Sequence, residues 1–125
     1  MLSWLRDTCN LALMNKPAID YFNANAAELA GKYNALDRAK VHADLLSLLP
    51  AGRGLKVLDI GAGSGADAAM FADLGHAVTA CEPAEELRKI GENLFKNKNI
   101  KWTSEVLPDM GAAVESAAPF DVVTS

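Results

Sequence analysis

The stretch "VLDIGAGSGADA", residues 57–68, sets Gly61, Gly63 and Gly65 at alternate positions directly behind an apolar run containing Asp59. Glycine tolerates positive φ and leaves bare backbone against which a ligand can lie. The β-rich run before this stretch and the Ala-rich run after it place the loop where a strand turns into a helix. A helix N-terminus offers free N–H groups and a partial positive charge, so an anionic group is expected there. A tight turn with no ligand would need one glycine, not three.

The same alternation continues along the chain. "LKVLDI", "HAVTACE", "IKWTSEV" and "FDVVTS" read as strands, with "ADAAMFADLG", "PAEELRKIGENLF" and a short or broken "LPDMGAAVESAA" as helices between them. Strand and helix in alternation argue for a parallel sheet with crossover helices. The strands lack strict polar–apolar alternation, as expected when both faces of a sheet are covered. The expected strand order is 3-2-1-4, in which right-handed crossovers and the reversal beside the first strand follow general parallel-sheet rules. Two helices are expected ahead of the sheet, from about Pro17 to Tyr33 and from about Asp37 to Leu48, since proline suits a helix start. The chain thus divides into a helical cap, residues 1–50, and a Rossmann-like half-domain, residues 51–125, forming one structural unit. "MLSWLRDTCNLALMN" reads as an amphipathic helix, because Arg6 and Asp7 interrupt what would otherwise resemble a signal peptide. "PFDVVTS" still reads as a buried strand where the sequence stops, which suggests a truncated domain. Pairing of the exposed strand-4 edge in a homodimer is a further expectation.

A chain of 125 residues, half of them hydrophobic, can bury a core without disulfides. Cys9 and Cys81 have neither the number nor the spacing of a metal site or a secreted scaffold, so a cytoplasmic protein without a metal centre is expected. With 12 basic against 16 acidic residues, a net charge of −4 and no basic run, nucleic acid is a poor partner. No stretch reaches membrane-spanning length.

Glu82 ends the second strand, twenty-one residues after Gly61. A carboxylate there can accept from both hydroxyls of a ribose. Two ligands remain: a dinucleotide, whose G-x-G-x-x-[GA] pattern "GAGSGA" satisfies, or a nucleoside carrying an amino acid. Asp59 favours the second, because a carboxylate beside the loop repels a pyrophosphate but attracts an ammonium or sulfonium. His42 and His76 read as structural or solvated residues, Cys81 as a small hydrophobe on a buried strand, and Trp102 as core. Trp4 reads as core or as a dimer contact.

Together, "VLDIGAGSG", "VTACEPAEEL" and "FDVVTS" resemble motifs I, II and IV of the class I S-adenosylmethionine-dependent methyltransferases, in particular their "type 11" group. The resemblance runs from about Ala18 to the last residue and covers the first half of that family's catalytic domain. It implies that Gly61, Ala62, Gly63 and Gly65 wrap the methionine part of S-adenosyl-L-methionine, with Asp59 beneath it. Glu82 would grip the ribose and Pro83 would pack near the adenine. "SEVLPDM" is similar to motif III, which would bring Glu105, or Ser104 if the strand ends one residue earlier, to the adenine amino group with the Val106 amide beside it. The segment before the sheet is similar to the family's helical cover, from which Tyr33 is the candidate to reach the cofactor's carboxylate. A small-molecule methyl acceptor is expected, and no residue is identified as the catalytic base. An NAD(P)-binding oxidoreductase domain and a non-catalytic binding fragment are the alternative readings.

Overall fold

The structure is a computed structural model that describes residues 16–106 and 110–125. Trp4, Cys9, the amphipathic helix expected over residues 1–15, and residues 107–109 of "SEVLPDM" lie outside the described residues.

Four parallel strands form one sheet in the order β3-β2-β1-β4: β1 (Lys56–Ile60), β2 (Ala77–Cys81), β3 (Ile100–Thr103) and β4 (Val122–Thr124). Val57 pairs in register with Val78 on one side and Val122 on the other, and Val78 in turn meets Ile100. Successive side chains of a strand point to opposite faces. Val57 therefore joins Val78, Ala80, Ala68 and Phe71 on one face, while Leu58 joins Cys81 and Val114 on the other. Helix α5 (Ala66–Asp73) supplies Ala68 and Phe71 to the first face, and α7 (Gly111–Ala117) supplies Val114 to the second. This two-sided cover is the α/β Rossmann-like arrangement expected from the strand composition.

The helical preface is more broken than its sequence suggests. Instead of two helices it forms α1 (16–24), α2 (Ala26–Asn34), α3 (Arg38–Val41) and α4 (Ala43–Leu48). At Asn25 the backbone leaves helical geometry (φ −113°, ψ 15°), and the side-chain amide donates to the Tyr21 carbonyl at 2.8 Å. Asparagine competes with the backbone for hydrogen bonds in this way, which is why it weakens helix interiors. At His42 (φ −106°, ψ 22°) the second break turns the imidazole toward α5. Asp37 caps α3, its carboxylate accepting from Lys40 N–H at 3.2 Å. Ala26 and Ala30 of α2 pack against Ala84 and Leu87, so the cap rests on α6 (Glu85–Leu94), with Ile19 and Phe22 filling the seam. No helix among the described residues is long and apolar enough to cross a membrane.

Trp102, on β3, wedges between two glycines. A Cβ at Gly91 in α6 would stand 2.5 Å from the indole and 2.7 Å from the Ser64 carbonyl oxygen, a fixed backbone atom. On helix propensity alone, Gly91→Ala would gain about 1 kcal/mol. The clash outweighs this, since overpacking a close contact costs roughly 1–3 kcal/mol. Gly91→Ala is expected to lower the urea midpoint with an unchanged m-value; an unchanged or raised midpoint would show that the Trp102 contact yields freely.

Candidate functional site

The loop after β1 folds back over the C-terminal end of β2. Gly61 N–H and Ala62 N–H both donate to the Cys81 carbonyl, at 2.8 and 2.9 Å, and Gly65 N–H donates to the Ala62 carbonyl at 2.9 Å. The three glycines take φ of +72°, +58° and +86°, values that L side chains rarely adopt. Gly61, Ala62 and Gly63 line a cavity of about 440 Å³ outside the carboxyl ends of the strands, where open parallel sheets bind ligands.

Gly65 does something else. It is the N-cap of α5, it does not line the cavity, and a Cβ on it would stand 2.6 Å from Trp102. Its missing side chain admits the indole, where the sequence pointed to contact with a ligand.

Glu82 is 6% exposed and lines the cavity. Its Oε2 accepts from Gly63 N–H and its Oε1 from Ala84 N–H, both at 2.8 Å. Each carboxylate oxygen keeps a further lone pair, so the group is held from one side and can accept two more donors. Arg88 Nη1 donates to the Glu82 carbonyl at 2.7 Å, which ties α6 to the end of β2. Pro83 and Leu87 continue the wall beside Glu82, and Ile19 and Phe22 of α1 face the same space.

Asp59 forms the floor. It is 4% exposed; Oδ1 accepts from Thr124 Oγ1 at 3.2 Å, while Oδ2 is buried with no hydrogen-bond partner. Burial pushes its carboxyl up to about 7, and the nearby Asp67 pushes in the same direction; the Thr124 bond and Arg38 pull back. An unsatisfied buried carboxylate costs folding energy, and a cationic ligand group would relieve it.

Tyr33 and Val106 also line the cavity. Glu105 is turned away. Its Oε1 accepts from Ala113 N–H at 2.9 Å and its Oε2 from Val114 N–H at 3.1 Å. The carboxylate thus satisfies free amides in the first turn of α7 and is engaged there, not at an adenine. The sequence could not distinguish this cap from a ligand contact, because both ask for an acid just after a strand.

Arg38 and Asp67 are cavity residues that the sequence reading missed. Asp67 Oδ1 meets Arg38 Nε at 3.1 Å and His42 Nε2 at 3.0 Å. Asp67 lies 29 residues from Arg38 and 25 from His42, intervals that match no motif; the docking of α3 on α5 brings them together. His76 is buried, and its Nδ1 accepts from Leu55 N–H at 3.3 Å in a structural role. Cys81 is fully buried and its thiol is raised by burial to about 11, so it behaves as a hydrophobe. Among the described residues no group of acids, histidines and cysteines could hold a metal ion.

Several solved structures share this architecture. The phosphoethanolamine N-methyltransferase 1 of Haemonchus contortus, solved with phosphoethanolamine and S-adenosylhomocysteine, is 24% identical at a TM-score of 0.54, covering 79% of this chain and 21% of that one. The 1,6-didemethyltoxoflavin-N1-methyltransferase of Burkholderia thailandensis, with its toxoflavin precursor and S-adenosylhomocysteine, is 22% identical at 0.57, over 84% and 45%. The precorrin-6y C5,15-methyltransferase of Geobacter metallireducens is also 22% identical at 0.57, over 70% and 48%. The present chain therefore spans between about a fifth and a half of the structures whose fold it shares. Over residues 18–125 its sequence matches the family described as protein-L-isoaspartate(D-aspartate) O-methyltransferase, and with the motif I loop, Glu82 and the 3-2-1-4 sheet in place, the chain belongs to that methyltransferase family.

Proposed function

We propose that this chain is the cofactor-binding half of a methyltransferase and that its cavity takes S-adenosyl-L-methionine. The observation that carries this reading is the unpartnered Oδ2 of buried Asp59 on the cavity floor. An anionic ligand would deepen that deficit, whereas the ammonium of an amino acid would fill it. Glu82, fixed by two amides, has its remaining lone pairs for a ribose diol. Pro83, Leu87 and Phe22 offer apolar surface for an adenine, and Tyr33 stands over the glycine loop as a candidate contact for the amino-acid end. A volume of about 440 Å³ is in the range of small-molecule sites.

A dinucleotide fits less well. The amides of Gly61, Ala62, Gly63 and Gly65 are already donated within the protein, and Asp59, Asp67 and Glu82 would all face a pyrophosphate.

When bound, the cofactor supplies an electrophilic methyl on a sulfonium. The residues here bind and orient it, and catalysis would rest on holding that methyl in line with an acceptor. The small-molecule acceptor expected from the charge is not the one that the family's description names. We place an aspartyl carboxylate of a protein first, because the family match spans residues 18–125 while the small-molecule enzymes match in fold alone.

Calorimetric titration with S-adenosylhomocysteine should show one site per chain; binding of reduced nicotinamide dinucleotide in its place would overturn the reading. If the ligand's ammonium needs the ionised Asp59, affinity should fall roughly tenfold per pH unit below about 7, and Asp59→Asn should weaken binding and flatten this dependence.

The same group predicts a change in stability. Because the folded state raises the Asp59 pKa above its ordinary value of 3.8, its contribution is fully present below about 4 and is lost as pH rises through about 7. Asp59→Asn should therefore gain about 1–3 kcal/mol relative to the parent between pH 5 and pH 8. A pH-independent difference in urea titrations would contradict the assignment.

A further inference from the structure

The cavity wall changes character from one edge of the sheet to the other. In the strand order β3-β2-β1-β4, Ser125 stands beyond β4, Asp59 and the glycine loop at β1, Glu82 at β2 and Val106 beyond β3. Among the described lining residues, the side chains able to accept a hydrogen bond are Tyr33, Asp59, Asp67, Glu82 and Ser125. Asp67 follows the glycine loop into α5, and a Cβ at Gly63 would lie 4.0 Å from the Tyr33 ring. All but Glu82 therefore gather over β1 and β4. Past Glu82 the lining is Pro83, Leu87 and Val106, with Ile19 and Phe22 of α1 packed on the same side. That end of the cavity is apolar.

Glu105 immediately precedes Val106, yet its contacts hold it away from this end. Its N–H donates to Thr103 Oγ1 at 3.3 Å, and its two carboxylate oxygens accept from Ala113 and Val114 N–H at 2.9 and 3.1 Å. Helix α7 has made room for the group: a Cβ at Gly111 would collide with it, 2.9 Å from its Cδ. Swinging the carboxylate back into the cavity would break two charge-assisted bonds and strip the first turn of α7 of its acceptor. Neither Glu105 nor Ser104 lines the cavity.

We propose that the cavity holds the base of its nucleoside by apolar contact, with no described side chain reading the exocyclic amine of an adenine, so that it takes purine nucleosides with or without a 6-amino group. This rests on the cofactor reading above. Glu105 sets that specificity by standing outside the wall: it is a positioning residue that ties the chain leaving β3 to α7 and so keeps Val106 against the base.

The test titrates the 125-residue chain with S-adenosylhomocysteine, its 6-deamino analogue, which carries a plain purine, and S-ribosylhomocysteine, which lacks the base. The two purine ligands should bind within about threefold of each other, whereas removing an amine held by a carboxylate would cost roughly ten- to a hundredfold. S-ribosylhomocysteine should bind at least about tenfold more weakly, through the loss of buried apolar area. A larger preference for S-adenosylhomocysteine over the deamino analogue would overturn the inference without any variant. So would equal affinity for S-ribosylhomocysteine, which would put the base outside the cavity. Glu105→Gln should lower the urea midpoint by weakening the α7 contacts and leave the ratio between the two purine ligands unchanged; a loss confined to S-adenosylhomocysteine would show that the carboxylate reads the amine after all. Failure of the chain to bind S-adenosylhomocysteine at all would instead bring down the cofactor reading itself, and this inference with it.

Discussion

The C-terminal end of the sheet depends on one carboxylate clamped between two amides. Glu82 ties Gly63 of the first crossover loop to Ala84 at the start of the second, while the Cys81 carbonyl takes the two preceding loop amides. Charge-assisted hydrogen bonds are about twice as strong as neutral ones, and these lie in a buried setting. The clamp decides where the cavity wall stands, and it also consumes donors that a phosphate would need. Ligand class is thus set partly by what the backbone has already used.

A second constraint is the accumulation of negative charge around the cavity. Asp59 stands at the end of a central strand, a position with little access to water, and its neighbour Asp67 adds repulsion. Folding tolerates this because Thr124 from β4 and Arg38 from the helical cap lean on the pair. The cap is therefore more than a cover: α3 and the His42 turn carry the counter-charges that the sheet itself lacks. Sites of this kind give up stability for a ligand's sake, in line with the general tension between a relaxed core and a competent pocket.

Much of this was legible in the sequence. The four strands, the intervening helices and the glycine loop follow from local composition, and the interval from Gly61 singles out Glu82. The loop's positive φ values follow from its glycines. Other features depended on tertiary choices invisible along the chain. Asn25 and His42 break helices that periodicity would have continued. Glu105 had two legitimate uses, and the first turn of α7 claimed it. Spacing groups Gly65 with its neighbours, yet it faces Trp102. Arg38 and Asp67 come from different elements, and only the docking of α3 on α5 joins them.

Trp102 touches both the foot of the glycine loop and α6, which gives the protein an optical gauge. With Trp4 as the chain's second tryptophan, replacing that residue by phenylalanine would leave a single indole seated beneath the ligand loop. Its emission wavelength would then follow the polarity under that loop, and quenching would follow its opening, without a dye or a label.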